Sequence, residues 1–307
     1  MGHEQSPPRL ALGIFYSLLA YIFFVTASSL VWSMRGKFPT IQIIFIQNCV
    51  CFISILPFSL RKGHLGLKTE VPSLHFIRDF AGLTSYYLYF IAIRYLNLTD
   101  ATTLNYTAPF FVPLIWWIWM KQKIDLHVWW SIIIGFIGVA VILNPSKQIF
   151  QEGFLFALFA GIASAIAFCA LRLLNLNKEP MTRTLFYYFL LGVLLSAPFA
   201  FVYWVVPTGI EWMKAIGIGV ATVVAQMLLT IAYRYGTASY LSPLGYSTVI
   251  YAGMSSWLIF NTPPTIRSFL GTFLIIIGGV LTFIFKKKPT KISETFEIPQ
   301  PKEKPPL

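Results

Sequence analysis

Catalysis needs groups that ionise, coordinate or attack, and this chain of 307 residues spreads them thinly. The four histidines, His3, His64, His75 and His127, fall at segment ends and in connecting stretches. No HExxH, GxSxG, Walker or GxGxxG pattern occurs. Cys49, Cys51 and Cys169 lie inside apolar runs, where neither spacing nor setting suggests a metal site or a disulfide framework. They read as small packing residues. Asp79 and Asp100 stand at the starts of apolar segments, and Asp100 with Thr99 reads as a helix N-cap more than as a ligand. No catalytic cluster, no metal and no cofactor is expected, and the chain reads as a non-enzyme. The missing nucleotide-binding motif also argues against an ATP-driven pump.

Recognition then falls to uncharged polar and aromatic groups, and these need elements to hold them. Hydrophobic residues make up 57% of the chain and charged ones only 11%, about half the share of a soluble domain. A helix needs roughly 20 apolar residues to cross the hydrocarbon of a bilayer. Segments at about 10–34, 40–60, 73–94, 99–120, 125–143, 153–175, 182–206, 211–234, 239–260 and 266–285 meet that need. The expected fold is an all-α polytopic membrane protein of ten transmembrane helices. Residues 1–9 precede the first span. Residues 286–307, rich in Pro, Lys and Glu, read as a disordered tail.

The net charge of +12 raises nucleic acid as a partner. That reading fails because the basic residues stand singly between apolar runs and do not gather on one face. Their expected partner is the lipid bilayer, through its anionic cytoplasmic leaflet. Fourteen Lys and Arg, Arg78 and Arg234 among them, fall on the side of both termini, against Arg35, Lys37, Arg94, Lys147, Lys214 and Arg267 on the other. That bias puts both termini in the cytoplasm.

An offset of 140 residues brings the second half into register with the first. Ala92, Arg94 and Tyr95 meet Ala232, Arg234 and Tyr235; Tyr106 meets Tyr246; Trp117 meets Trp257; Gly138 meets Gly278. With one residue more, Pro57-Phe58 meets Pro198-Phe199. Each unit, 10–143 and 153–285, holds five spans. Five is odd, so the units must sit upside down relative to each other. Inverted repeats recur in secondary transporters, with the solute bound near the midplane where the units meet, and two packings of one repeat on the other supply the two access states.

Within this frame Tyr86 and Gln226 are repeat-matched polar groups midway along the third and eighth spans, and both should face the bundle interior. Asn105 lies three residues after Thr102 and four before Pro109, whose missing N–H frees a carbonyl nearby. Tyr106 and Tyr246 are matched aromatics, Tyr251 follows in the ninth span, and Tyr89 shares the third span with Tyr86. These seven are the candidate solute contacts, with core packing as the plain alternative for each tyrosine. Arg94 and Arg234 read as interfacial anchors, or as charges near the gates. Gln47 and Asn48 read as structural, and Ala157, Gly161 and Ala165 as a small-residue stripe for close helix packing.

The stretch RDFAGLTSYYLYFIAIRYLNLTDATTLNYTAPFFVPLIWWIWMKQKI, Arg78 to Ile124, resembles the signature of the third and fourth helices in EamA-type transporters of the drug/metabolite transporter superfamily. Its second copy, Gln226 to Thr265, is similar to the signature of their eighth and ninth helices. The resemblance implies ten helices in two inverted repeats. Helices 1, 3, 4, 6, 8 and 9 would line a cavity, and 5 and 10 would lie outside it. Gln122 and Thr262 stand where many members carry Glu, and Gln47 where many carry Arg, so roles given to those charges do not transfer. The Tyr-rich third span looks most like the S-adenosylmethionine transporters of obligate intracellular bacteria. The resemblance thus implies alternating-access transport of a small organic solute in the cell inner membrane. S-adenosylmethionine, exchanged for S-adenosylhomocysteine, is the leading specific solute; amino-acid or drug export is the alternative, then a channel or a scaffold. A homodimer stays open.

Overall fold

The computed structural model describes residues 7–60, 67–120, 126–143, 152–235 and 242–284. The tail at 286–307 lies outside these residues. Regular structure among the described residues is helical throughout: α1 (Pro7–Ser33), α2 (Thr40–Leu60), α3 (Pro72–Tyr95), α4 (Leu98–Asn105), α5 (Ala108–Met120), α6 (Leu126–Leu143), α7 (Glu152–Leu176), α8 (Met181–Val202), α9 (Gly209–Tyr235), a 3₁₀ turn (Ser242–Tyr246), α10 (Ser247–Leu258) and α11 (Ile266–Ile284). Five helices are long and apolar enough to cross a membrane, lying within α1, α2, α7, α8 and α9. Large apolar side chains such as Ile53, Phe199, Phe201, Phe269 and Phe273 point outward, as lipid-facing surfaces require. The chain is a multi-pass helical membrane protein.

Two of the expected spans are broken. The segment at 99–120 is α4 and α5 with a turn at Tyr106 and Thr107 between them. Pro109 lacks the N–H that would bond the carbonyl of Asn105, which weakens the helix at this point, although Pro57, Pro113 and Pro198 sit inside continuous helices. The segment at 239–260 is the 3₁₀ turn followed by α10. The breaks are repeat mates and touch: a Cβ on Gly245 would lie 3.2 Å from the ring of Tyr106.

The main packing pairs are α3 with α7, α1 with α9, α6 with α11, and α2 with α8. Each joins one half of the chain to the other. Every pair maps onto itself or onto another when the halves are exchanged; α3 on α7, for example, becomes α9 on α1. The two halves are therefore interlocked through these cross-half pairs. Small residues permit the closest approaches. Ala157 and Ala165 are fully buried, and a Cβ on Gly161 would lie 2.7 Å from the Thr107 hydroxyl and 3.1 Å from the Asn105 carbonyl.

Hydrogen bonds mark the ends of the bundle. At one end Ser59 of α2 donates to the carbonyl of Thr182 at the start of α8, and Thr69, just before α3, donates to Glu179 of the α7–α8 junction at 2.8 Å. At the other, Gln42 exchanges two bonds with the backbone of Val205, and Arg94, in the last turn of α3, donates to the Phe38 carbonyl and the Thr40 hydroxyl. α1 and α3 thus finish at the same end. α9 runs against α1, because Tyr16 stacks on Tyr235 while Leu30 meets Gly217.

Candidate functional site

A helix that starts near the membrane surface and runs inward carries its early residues below that surface. Pro72, at the first position of α3, fixes where the helix begins. Arg78 and Asp79 follow six and seven residues later, about 9–10 Å along the axis. Both are buried, at 6% and 2% exposure. Arg78 Nη1 donates to Asp79 Oδ1 at 3.0 Å, and the guanidinium carbon lies 4.0 Å from the ring centre of Tyr188 on α8. Gly82, one turn further on, leaves room for that ring: a Cβ there would lie 3.0 Å from it. Asp79 lies near the start of its segment, as expected, but neither it nor Arg78 is at the surface. The two form a buried ion pair, which survives in a low dielectric because each supplies the other's counter-charge.

Arg78 lines a narrow crevice of about 20 Å³, room for about one water molecule in this state. The other walls are Leu171 of α7, Met181, Thr184 and Leu185 of α8, and Gln226, Leu229 and Thr230 of α9. Gln226, singled out in sequence, therefore lines the same crevice as Arg78. A layer of polar contacts ties this end together. His75 Nε2 lies 3.4 Å from Glu179, Arg183 donates to Glu179 at 2.8 Å, and Tyr187 donates to the Leu67 carbonyl at 2.6 Å. Burial pushes the Glu179 carboxyl up, but hydrogen bonds from Thr69 and Arg183 and the charges of Arg183 and His75 outweigh it. They hold the group below the ordinary carboxylate value.

Three of the other candidates, Asn105, Tyr106 and Tyr246, lie at the two breaks. Asn105 ends α4, and its buried Oδ1 has no hydrogen-bond partner among the described residues. Tyr106, in the break, meets Tyr21 edge to face at 6.4 Å. Tyr246 ends the 3₁₀ turn with a buried hydroxyl that is unpartnered in the same sense, as are Ser247 Oγ and Thr248 Oγ1 beside it. Tyr89 is buried and its hydroxyl shares a 2.8 Å bond with Thr102, so it clamps α3 to α4. Tyr86 packs on Phe90, and Tyr251 on the central core. Arg94 is exposed and tied to the α1–α2 turn. The side chain of Arg234 lies outside the described residues. The cap of α4 is Asn97, whose Oδ1 accepts from the Asp100 N–H while its Nδ2 donates to Asp100 Oδ2, so Asp100 answers the cap and is not itself the cap. Asn48 donates to the Ile44 carbonyl, consistent with a structural role.

Three comparisons with known proteins bear on this site. The profile of the EamA-like transporter family matches twice, at residues 11–144 and 151–284. The pseudopaline exporter CntI of Pseudomonas aeruginosa (strain UCBPP-PA14) is 25% identical over 91% of this chain and 98% of its own. The S-adenosylmethionine uptake transporter of Rickettsia bellii is 27% identical over 91% and 95%, and the riboflavin transporter of Vibrio cholerae 25% over 87% and 91%. A solved crystal structure at 16% identity superposes with a TM-score of 0.61, covering 90% of this chain and 96% of that one, and shows the shared fold. With two family matches that together span nearly the whole sequence, the chain belongs to the EamA-like transporter family.

Proposed function

We propose that this protein is a secondary transporter that moves a small organic metabolite across the cell inner membrane by alternating access. The observation that carries this reading is the buried guanidinium of Arg78 on a cleft it shares with the mid-helix amide of Gln226. Ionisable groups are costly inside a bilayer and are kept where solutes or ions pass. The ten spans would form two inverted five-helix repeats, residues 10–143 and 153–285, with both termini in the cytoplasm. Inversion is supported by α9 running against α1 while α3, the repeat mate of α9, finishes beside α1. The census of basic residues assigns the Arg78 end to the cytoplasm, so the cleft opens inward.

Asn105, Tyr106 and Tyr246 lie where the broken helices meet, and with Tyr86, Tyr89 and Tyr251 they would contact the solute. Interrupted helices at the repeat interface are where transporters of this kind hold their solutes. The unpartnered Asn105 Oδ1 and Tyr246 hydroxyl are groups a solute can satisfy. Arg94 and Arg234 would act as interfacial charges near the two gates. Alternating access would come from rocking of one repeat against the other, across the α1–α9 and α3–α7 contacts that join the halves.

S-adenosylmethionine, taken up in exchange for S-adenosylhomocysteine, is the solute we place first. The Rickettsia relative is named for its uptake, and aromatic faces attract cations such as a sulfonium. Export of amino acids or drugs is the second reading, favoured by the exporter among the relatives. The test is uptake of labelled S-adenosylmethionine and labelled amino acids by the purified chain in liposomes, with and without internal S-adenosylhomocysteine. Saturable uptake accelerated by the internal solute is expected. Folded protein that moves none of these solutes refutes the proposal.

A further inference from the structure

Arg78 differs from the rest of the cleft in having donors to spare. A guanidinium carries five N–H groups in a planar fork. One of them reaches Asp79, and the ring of Tyr188 covers one face. Among the described residues no other acceptor is bonded to it, and its side chain lines the same crevice as Gln226. The same register in the other half holds Ile218 and Gly219, so packing of the fold does not demand a charge here.

Resting on the transport reading above, we infer that Arg78 is the specificity-determining residue for a carboxylate on the transported solute. Asp79 holds the guanidinium in place before that carboxylate arrives. A planar fork matches a carboxylate through two parallel hydrogen bonds, which a lysine or an amide cannot reproduce. The Arg78–Asp79 pair is neutral overall. A solute bringing a bare negative charge would leave the narrow cleft net negative in a low dielectric, which is unfavourable. The solute therefore carries a positive group close to its carboxylate, as an amino-acid head does. The carbonyl of Gln226 and the hydroxyls of Thr184 and Thr230 are acceptors for that ammonium.

The experiment is thermal stabilisation of the purified full chain by matched probes. These are S-adenosylmethionine against its decarboxylated form, and L-methionine against L-methioninol, with riboflavin as a solute that has no carboxylate. In the wild type the carboxylate-bearing member is expected to act at about tenfold lower concentration than its mate. Arg78→Gln combined with Asp79→Asn removes both charges, leaving neither buried alone, and should bring that ratio to about one. Arg78→Lys should keep a partial preference, because it retains the charge and loses the fork. The inference is overturned by an unchanged ratio in the double variant whose unliganded melting temperature matches wild type. It is equally overturned if carboxylate-free probes stabilise the wild type as well as their mates do, or if no carboxylate-bearing probe stabilises it. Failure of the transport reading shows separately, as liposomes that move no solute while the binding ratio stands.

Discussion

The first turns of α3 and α9 occupy equivalent places in the two halves and are buried alike, yet their chemistry is opposite. In α3, His75, Arg78 and Asp79 form a polar layer against Tyr188 and Glu179. In α9 the same positions are Ala215 and Ile218, at 1% and 0% exposure in the apolar core, and Gly219, where a Cβ would lie 2.5 Å from Val50. The duplicated backbone therefore kept its packing register while one copy alone holds charges. At the α9 end of the bundle the ionic contact is Lys37 with Glu211 at 3.5 Å, and Lys37 is 61% exposed. Exposed pairs of this kind add little. The asymmetry polarises the molecule: one end carries a buried electrostatic site, the other a tight apolar plug.

The largest expected effect comes from forcing the two ends to match. Ile218→Arg places an unpaired charge in a sealed core and should cost about 3–5 kcal/mol, read as failure to accumulate or a steep fall in melting temperature. Tolerance of that change would mean the α9 end is wetter than its packing implies. The converse replacement, Arg78→Ile with Asp79→Ala, should leave the melting temperature near wild type, since apolar residues often replace buried ion pairs without loss. Liposome uptake should nevertheless fall about a hundredfold, or about 2.7 kcal/mol. Gly161→Ala should cost about 1–3 kcal/mol, because backbone carbonyls and the Thr107 hydroxyl meet the new methyl and the carbonyls cannot yield. Gly253→Ala, whose nearest neighbour is 3.9 Å away, is the matched control and should stay within about 0.5 kcal/mol.

The smallest effect concerns pH. Glu179 has a depressed folded value, so its stabilisation of the α7–α8 junction is present above the unfolded carboxylate value and is lost as pH falls through the folded one. Melting curves of wild type and Glu179→Gln should converge on acidification. Curves that stay parallel would remove the carboxylate from that role.

Much of the architecture could be read from hydropathy, because a lipid-facing helix must be apolar along its full length. The boundaries of α2 coincide with the apolar segment, and those of α3, α6 and α7 fall within one residue of it. The breaks at Tyr106 and Ser242–Tyr246 were not legible, although Pro109 gave a partial signal at the first. Hydropathy averages over a window and does not see one lost turn. The site was half visible. Gln226 stood out as an amide in hydrocarbon, and it lines the crevice with Arg78. Arg78 and Asp79 did not stand out, because adjacent residues on a helix point about 100° apart and a charge near a segment start resembles an interfacial anchor. Their repeat mates carried the signal: two charges aligned with isoleucine and glycine are no requirement of the fold.

The interlock of the halves bears on how the protein is made. α3 seats against α7 and α8, which are synthesised some eighty residues or more after it. Until α7 and α8 have been made, α3 lacks the partners of the surface that carries His75 and Arg78. A nascent chain in this condition holds polar groups in lipid or within the insertion machinery until its late helices arrive. Closure of that surface of α3 therefore waits for α7 and α8, and the first half cannot complete its packing alone.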